Sequence, residues 1–137
     1  MLFSASCKYG LRASMLLAMR DTKTYVSIRE LSDELNISFH FLTKIFQKMN
    51  AANLIDSKKG VNGGVKLAKP SHRVTFMDVV NAIDGSCSMD SCALALPGCG
   101  VKRSCPMHDQ WSGIKEGMLE MMEKVTLAEL AKNSANE

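Results

Sequence analysis

Residues 27–68 read SIRELSDELNISFHFLTKIFQKMNAANLIDSKKGVNGGVKLA, and the order of signals in that stretch decides the fold. Ser27-Ile28-Arg29-Glu30 matches the S-x-x-E capping box, in which hydroxyl and carboxylate satisfy exposed backbone amides. Ile28, Leu31 and Leu35 form the apolar stripe of the helix that follows. It ends at Asn36, a residue that tolerates the left-handed conformation common just past a helix end. Ser38 is the next N-cap, and Phe41, Leu42, Ile45, Phe46 and Met49 make a second amphipathic stripe. Two short helices with a tight polar joint form a helix-turn-helix pattern, which any helical hairpin with a wet face also shares. His40, Thr43, Lys44, Gln47 and Lys48 lie mostly off the stripe, where a recognition helix faces the DNA groove. Leu54 to Ser57 then reads as a strand, Lys58 to Gly64 as a turn, and Val65 to Ala68 as a return strand. Asn62-Gly63 is a strong hairpin signal because both residues tolerate positive φ. A hairpin directly after a recognition helix is a wing, and its basic flank suits phosphate contact or minor-groove entry.

Working outward, Ser4 to Met19 reads as a helix. Tyr9, Leu11, Leu16 and Leu17 leave it nearly apolar all round, so it is expected to be buried on much of its surface. Asp21 to Thr24 is a polar break. Thr75 caps a short helix that runs to Ile83. Pro106 suits the first turn of a long helix, along which Trp111, Ile114, Met118, Met121 or Met122, and Val125 recur. The first half already has a core, so this stripe is expected to pack on the first helix and on a partner chain. Thr126-Leu127-Ala128-Glu129 is a further capping box before a short last helix. The tail from Asn133 to Glu137 should fray. The expected fold is mainly α: a winged helix-turn-helix with a cysteine-bearing loop and a long C-terminal dimerisation helix. The segments are 1–84 for the winged region, 85–105 for the loop, 106–132 for the dimerisation and terminal helices, and 133–137 for the tail.

The loop carries Cys92, Cys99 and Cys105, followed by His108, in the spacing C-x6-C-x5-C-x2-H. Thiolate and imidazole are the ligands that soft or borderline metals and iron–sulfur clusters select. Pro97, Gly98 and Gly100 let the backbone fold so that the sulfurs converge. The chain has five cysteines. An odd number fits a disulfide framework poorly, and three clustered with a histidine read as a reduced, cytoplasmic metal site. A Cys3His zinc site would use the same donors.

Net charge is +3, with 46% hydrophobic and 23% charged residues, ordinary values for a soluble domain. Its distribution is more telling. Residues 1–73 hold 12 Lys and Arg against 5 Asp and Glu, whereas residues 74–137 hold 5 against 9. The basic half is drawn to a polyanion and the acidic half faces elsewhere. No apolar run approaches a membrane span, and the N-terminus lacks the charged start and long apolar core of a signal peptide. The chain has no CxxC pair, phosphate-binding glycine motif or acid–base constellation, so an enzyme is not expected. The expected function is double-stranded DNA binding under the control of a metal-based sensor.

Several segments, in order, resemble the iron–sulfur winged-helix transcriptional regulator family typified by IscR and NsrR. They are Lys8-Tyr9-Gly10-Leu11-Arg12-Ala13, Ile28-Arg29-Glu30-Leu31-Ser32, Ile37-Ser38, Lys59-Gly60-Val61-Asn62-Gly63-Gly64 and Val79-Val80-Asn81-Ala82-Ile83-Asp84-Gly85. The cysteine loop, His108, Trp111 and Thr126-Leu127-Ala128-Glu129-Leu130 complete the match. The resemblance implies a homodimer on a near-palindromic operator, acting as a repressor that senses iron–sulfur status, redox state or nitric oxide. It implies DNA contacts from Ser38, His40, Phe41, Thr43, Lys44 and Lys59. The IscR-like pattern has glutamate where Thr43 stands and arginine where Lys59 stands, so operator sequence does not carry over. The implied cluster ligands are Cys92, Cys99, Cys105 and, by position, His108, with [2Fe-2S] favoured and [4Fe-4S] the alternative. The first ligand gap is six residues where the best-known members have five. Lys8 occupies the place of an acidic ligand in NsrR-like relatives. Cys87 and Cys7 are outside candidates for the fourth ligand, and Cys7 reads as a small apolar residue of the core.

Overall fold

The computed structural model describes residues 3–20, 23–85 and 107–135. Along the chain run α1 (Ala5–Met19), α2 (Ile28–Leu35), α3 (Phe39–Ala51), β1 (Ile55–Lys58) and β2 (Gly64–Leu67). A 3-10 turn (Ser71–Arg73), α4 (Phe76–Ile83), α5 (His108–Lys124) and α6 (Leu127–Ala135) follow. This is the mainly helical winged fold the sequence implies.

Helix α1 begins at Ser4, whose hydroxyl accepts a hydrogen bond from the Cys7 amide at 3.0 Å. Cys7, Leu11, Ala13 and Leu17 are buried, and the helix packs most extensively on α6 and α4. Gly10 makes the approach of α4 possible. A Cβ there would lie 2.1 Å from Ile83 Cδ1 and 3.2 Å from Ile45 Cγ2.

The turn between α2 and α3 forms as read, with Asn36 left-handed at φ 56° and ψ 46°. Ser38 caps α3, accepting from the Phe41 amide at 3.0 Å. Leu42, Ile45, Phe46 and Met49 are buried against α1, α2 and α4. The capping box at Ser27 does not form. Ser27 has N-cap backbone geometry but its side chain makes no cap hydrogen bond. Glu30 instead accepts from Arg20 at 2.8 Å, and Arg20 also pairs with Glu34. The arginine has taken the carboxylate the box needed.

The wing pairs Ile55 with Leu67 and Lys58 with Gly64 in antiparallel register. That register leaves residues 59–63 in the loop, longer than the two-residue turn that Asn-Gly favours. Positive φ therefore falls at Gly60 and Gly64, not at Asn62 and Gly63 as the sequence signal implies. Val26 adds a third rung, exchanging both backbone hydrogen bonds with Val65 at 2.8 Å.

Thr75 and Asp78 form a full capping box on α4, at 3.1 and 3.0 Å. The same corner fastens the C-terminal pair. Phe76 N donates to Val125 O at 2.9 Å and Leu127 N donates to Val74 O at 2.8 Å. Thr126 accepts from the Glu129 amide at 3.2 Å to start α6, which continues to Ala135, beyond Lys132 where the sequence reading ends it.

The stripe on α5 divides. Met122 is fully buried, and Met118 and Leu119 pack half-buried against the core. Ile114, 62% exposed, and Met121 face outward. The stripe is therefore no single partner-facing seam. The Thr75–Thr126 corner pins the C-terminal end of α5 to its own domain, so its last turns fill that core.

Candidate nucleic-acid interface and metal loop

The outer surface of α3 follows from the burial of its inner stripe. With Leu42, Ile45, Phe46 and Met49 inside, the helix leaves His40, Lys44, Gln47, Lys48 and Asn50 exposed. Ser38 is exposed, though its oxygen is engaged as the cap. Thr43 donates its hydroxyl proton to Phe39 O at 2.8 Å, so outward it offers a methyl and acceptor lone pairs. Phe41 is half-buried, its ring edge-on to Tyr9 with centroids 5.9 Å apart, so only part of it faces solvent. Lys48 donates to the carbonyl of Ile83 at 3.4 Å, which draws it towards α4.

A cleft of about 610 Å³ separates α3 from the wing. Phe39, Thr43, Gln47 and Asn50 line one side, with Lys58, Lys59 and Gly60 from the hairpin. The hairpin is braced by Tyr25, whose ring centroid lies 4.8 Å from Lys66 Nζ and 5.8 Å from Lys58 Nζ. Cation–π contacts of this kind hold two basic side chains against the hairpin. Val61 stands fully exposed at its tip.

Two residues on this surface escaped the sequence reading. Phe39 opens α3 half in solvent, and the Arg29 guanidinium lies 4.8 Å from its ring centroid. The available signal was a phenylalanine off the apolar stripe. Tyr25 escaped because a single-rung strand is too short for periodicity to reveal.

Cys87, Cys92, Cys99, Cys105 and Pro106 lie outside the described residues. The backbone of His108 opens α5, and its side chain lies outside them too. The remaining cysteine is described: Cys7 is fully buried on α1. Burial, with the Asp84 carboxylate adding to it, pushes its thiol up to about 12. A thiol held protonated is a poor metal ligand, so Cys7 belongs to the core. No group of three or more potential metal ligands forms among the described residues. Nor is any helix among them long and apolar enough to cross a membrane.

The segment with the loop cysteines leaves the described fold after Gly85, and its root is firmly tied. Ser4 donates from its amide to Asp84 Oδ2 at 3.0 Å and from its hydroxyl to Asp84 Oδ1. Ile83 sits in the notch left by Gly10 beside Ile45, and its carbonyl accepts from Lys48. The first and third helices are thus both attached where the loop begins.

The family model for Rrf2, described as iron-dependent transcriptional regulator, matches residues 3–133. The HTH-type transcriptional regulator IscR of Sodalis glossinidius (strain morsitans) is 28% identical over 126 residues, spanning 92% of this chain and 76% of that protein. Among solved structures, CymR, the global cysteine regulator of B. subtilis, superposes with a TM-score of 0.81 at 22% identity over 96% of both chains. IscR of T. potens superposes with a TM-score of 0.75 at 21% identity, over 96% of this chain and 86% of that one. These structures share the fold, and the sequence relatives are named transcriptional regulators, not enzymes. With a winged helix whose family match runs nearly end to end, the chain belongs to the Rrf2 family of transcriptional regulators.

Proposed function

We propose that this protein is a dimeric repressor whose affinity for a near-palindromic DNA operator is set by an iron–sulfur cluster. The observation that carries the reading is the combination of a basic winged helix with the C-x6-C-x5-C-x2-H sequence that follows it in the chain. Cys92, Cys99, Cys105 and His108 would hold the cluster, with [2Fe-2S] favoured over [4Fe-4S]. Three thiolates and a neutral imidazole suit iron, and mixed Cys/His ligation tunes such clusters. The burial of Cys7 removes one competing thiol, which supports a donor set drawn from the other cysteines. IscR relatives and the iron-dependent description of the family support this choice. A bound cluster supplies redox chemistry and iron reactive towards oxidant or nitric oxide. The chain's own part is coupling: Asp84 and Ile83 tie the loop root to α1 and α3. Cluster state must favour the DNA-competent dimer differentially, because a ligand shifts populations in no other way.

Anaerobic purification followed by visible absorption, iron and sulfide analysis, and native mass spectrometry tests this reading. The same donors suit zinc. A colourless protein with one zinc per chain would replace the sensor reading with a structural one.

The DNA face consists of Ser38, His40, Thr43 and Lys44 in the major groove, with Lys59 on the wing and the exposed part of Phe41 beside them. Lys44→Ala and Lys59→Ala are each expected to weaken operator binding. A lysine that contacts phosphate should also lower the slope of log affinity against log salt by about 0.9, whereas one that contacts a base edge should alter sequence preference. Unchanged binding and salt dependence in both variants would remove this surface from consideration.

For the dimer, the exposed face of α5 supplies the partner surface. Ile114 and Met121 stand out of the core, and Gly113 and Gly117 have open space at Cβ, so a partner helix can come close. Ile114→Asp with Met121→Asp should convert a sedimenting dimer to a monomer without unfolding it. Met118 is the contrast: it packs on its own core, and a charge there should lower stability first. A wild-type monomer at micromolar concentration that still binds a two-fold site tightly would remove the dimer from the mechanism.

A further inference from the structure

The tip of α3 carries an aromatic side chain that neither the core nor the contacts above employ. Phe39 is the first residue of the helix, directly after the Ser38 cap, and it is 39% exposed. The Arg29 guanidinium covers part of its ring at 4.8 Å from the centroid, and Arg29 is itself exposed in the first turn of α2. Phe39 lines the cleft together with Thr43, Lys58 and Lys59. Phe41, two residues on, has its ring on Tyr9 instead. The result is a solvent-facing apolar ring set among cations, at the end of a recognition helix that contacts base edges.

A partner for such a ring must offer an apolar group within an anionic surface. On the base edges of the DNA major groove that group is the C5-methyl of thymine. We propose that Phe39 reads a thymine methyl in each half-site, and that Arg29 positions the ring and binds the adjacent phosphate. The first helix of a helix-turn-helix crosses the backbone, so the start of α2 is the place for a phosphate contact. The arginine holds the ring by its cationic face and carries charge to the phosphate with its free fork. Phe39 is then a specificity-determining residue and Arg29 a positioning one. The inference rests on the DNA-binding reading above.

The test uses the anaerobically purified full chain and a duplex that it selects from a random pool. Each thymine is replaced in turn by deoxyuridine, which removes the methyl and keeps the base pair. One thymine per half-site should show an affinity loss of about fourfold, the factor equivalent to burying one carbon of methyl size. Phe39→Ala should bind thymine and deoxyuridine duplexes alike, and Phe39→Leu should restore part of the difference. Arg29→Ala should shrink the methyl effect and lower the salt slope by about 0.9. Thermal melts should place Phe39→Ala close to wild type, because the ring is exposed. A wild-type protein that selects a duplex yet is indifferent to every thymine methyl overturns this inference alone. So does a methyl penalty that persists undiminished in Phe39→Ala. A protein that selects no duplex overturns the DNA-binding reading with it.

Discussion

Cys92→Ala, Cys99→Ala and Cys105→Ala are each expected to purify without the visible absorption of the wild type and with iron and sulfide near background. The winged fold should be intact in all three. Thiolates are the strong ligands of this donor set, and losing one of three leaves an iron short of a bond that water replaces poorly. The fold survives because the core is built from the helices and the wing, with Leu31, Leu42, Phe46, Val65, Val79 and Met122 at its centre. Far-ultraviolet circular dichroism and a urea melt check that part. His108→Ala is expected to leave a weaker or spectroscopically altered cluster, since an imidazole is a replaceable ligand that can also protonate. Cys7→Ala should keep its colour, because that thiol is buried and protonated. Full cluster content in the three loop variants would sink the ligand assignment. An unaltered spectrum in His108→Ala, with loss of colour in Cys87→Ala, would move the fourth ligand to Cys87.

Gly64→Ala is expected to destabilise the protein by about 3 kcal/mol and to abolish operator binding at concentrations where the wild type is saturated. Two costs combine. Gly64 has φ +152°, a conformation in which a side chain is strained by roughly 1–3 kcal/mol. An added Cβ would also sit 2.1 Å from the carbonyl oxygen of Val26 and 2.5 Å from its carbon. That obstacle is backbone, so nothing yields without parting the Val26–Val65 rung, whose two hydrogen bonds contribute about 1 kcal/mol each. Once the rung opens, the hairpin loses its seat beside the start of α2 and the cleft against α3 loses its far wall. Gly60→Ala is the control. Its φ is +111° but its Cβ would meet open space, so only the conformational strain remains. Urea midpoints should fall clearly further for Gly64→Ala than for Gly60→Ala. Equal losses would mean that the contact with Val26 is unimportant.

Local chemistry made the helix starts at Ser4, Ser38 and Thr75 legible, together with the left-handed stop at Asn36. In each case a single side chain or backbone preference acts within one turn, and no distant residue competes. The apolar stripe of α3 was equally legible, because a 3.6-residue period survives whatever the helix packs against. The capping box at Ser27 was misread for the opposite reason. Glu30 had a distant competitor in Arg20, ten residues earlier in the chain, which only the packing of α1 on α2 brings within reach.

The wing divides in the same way. Composition settles that residues 55–67 turn back on themselves. The register settles which glycines take positive φ, and the register is pinned by Val26 from outside the hairpin. On α5, spacing alone could not separate Met122, which fills its own core, from Ile114, which faces out. The division depends on the Thr75–Thr126 corner, a contact between segments fifty residues apart. For the functional residues, Cys92, Cys99, Cys105 and His108 are proposed as a donor set from residue type and family resemblance, and their side chains lie outside the described residues. The reading of Cys7 as a small apolar core residue holds, and only the tertiary structure turned Phe41 towards Tyr9 and set Phe39 under Arg29 at the mouth of the cleft. Burial and orientation are properties of the packed helices, and no single segment carries them.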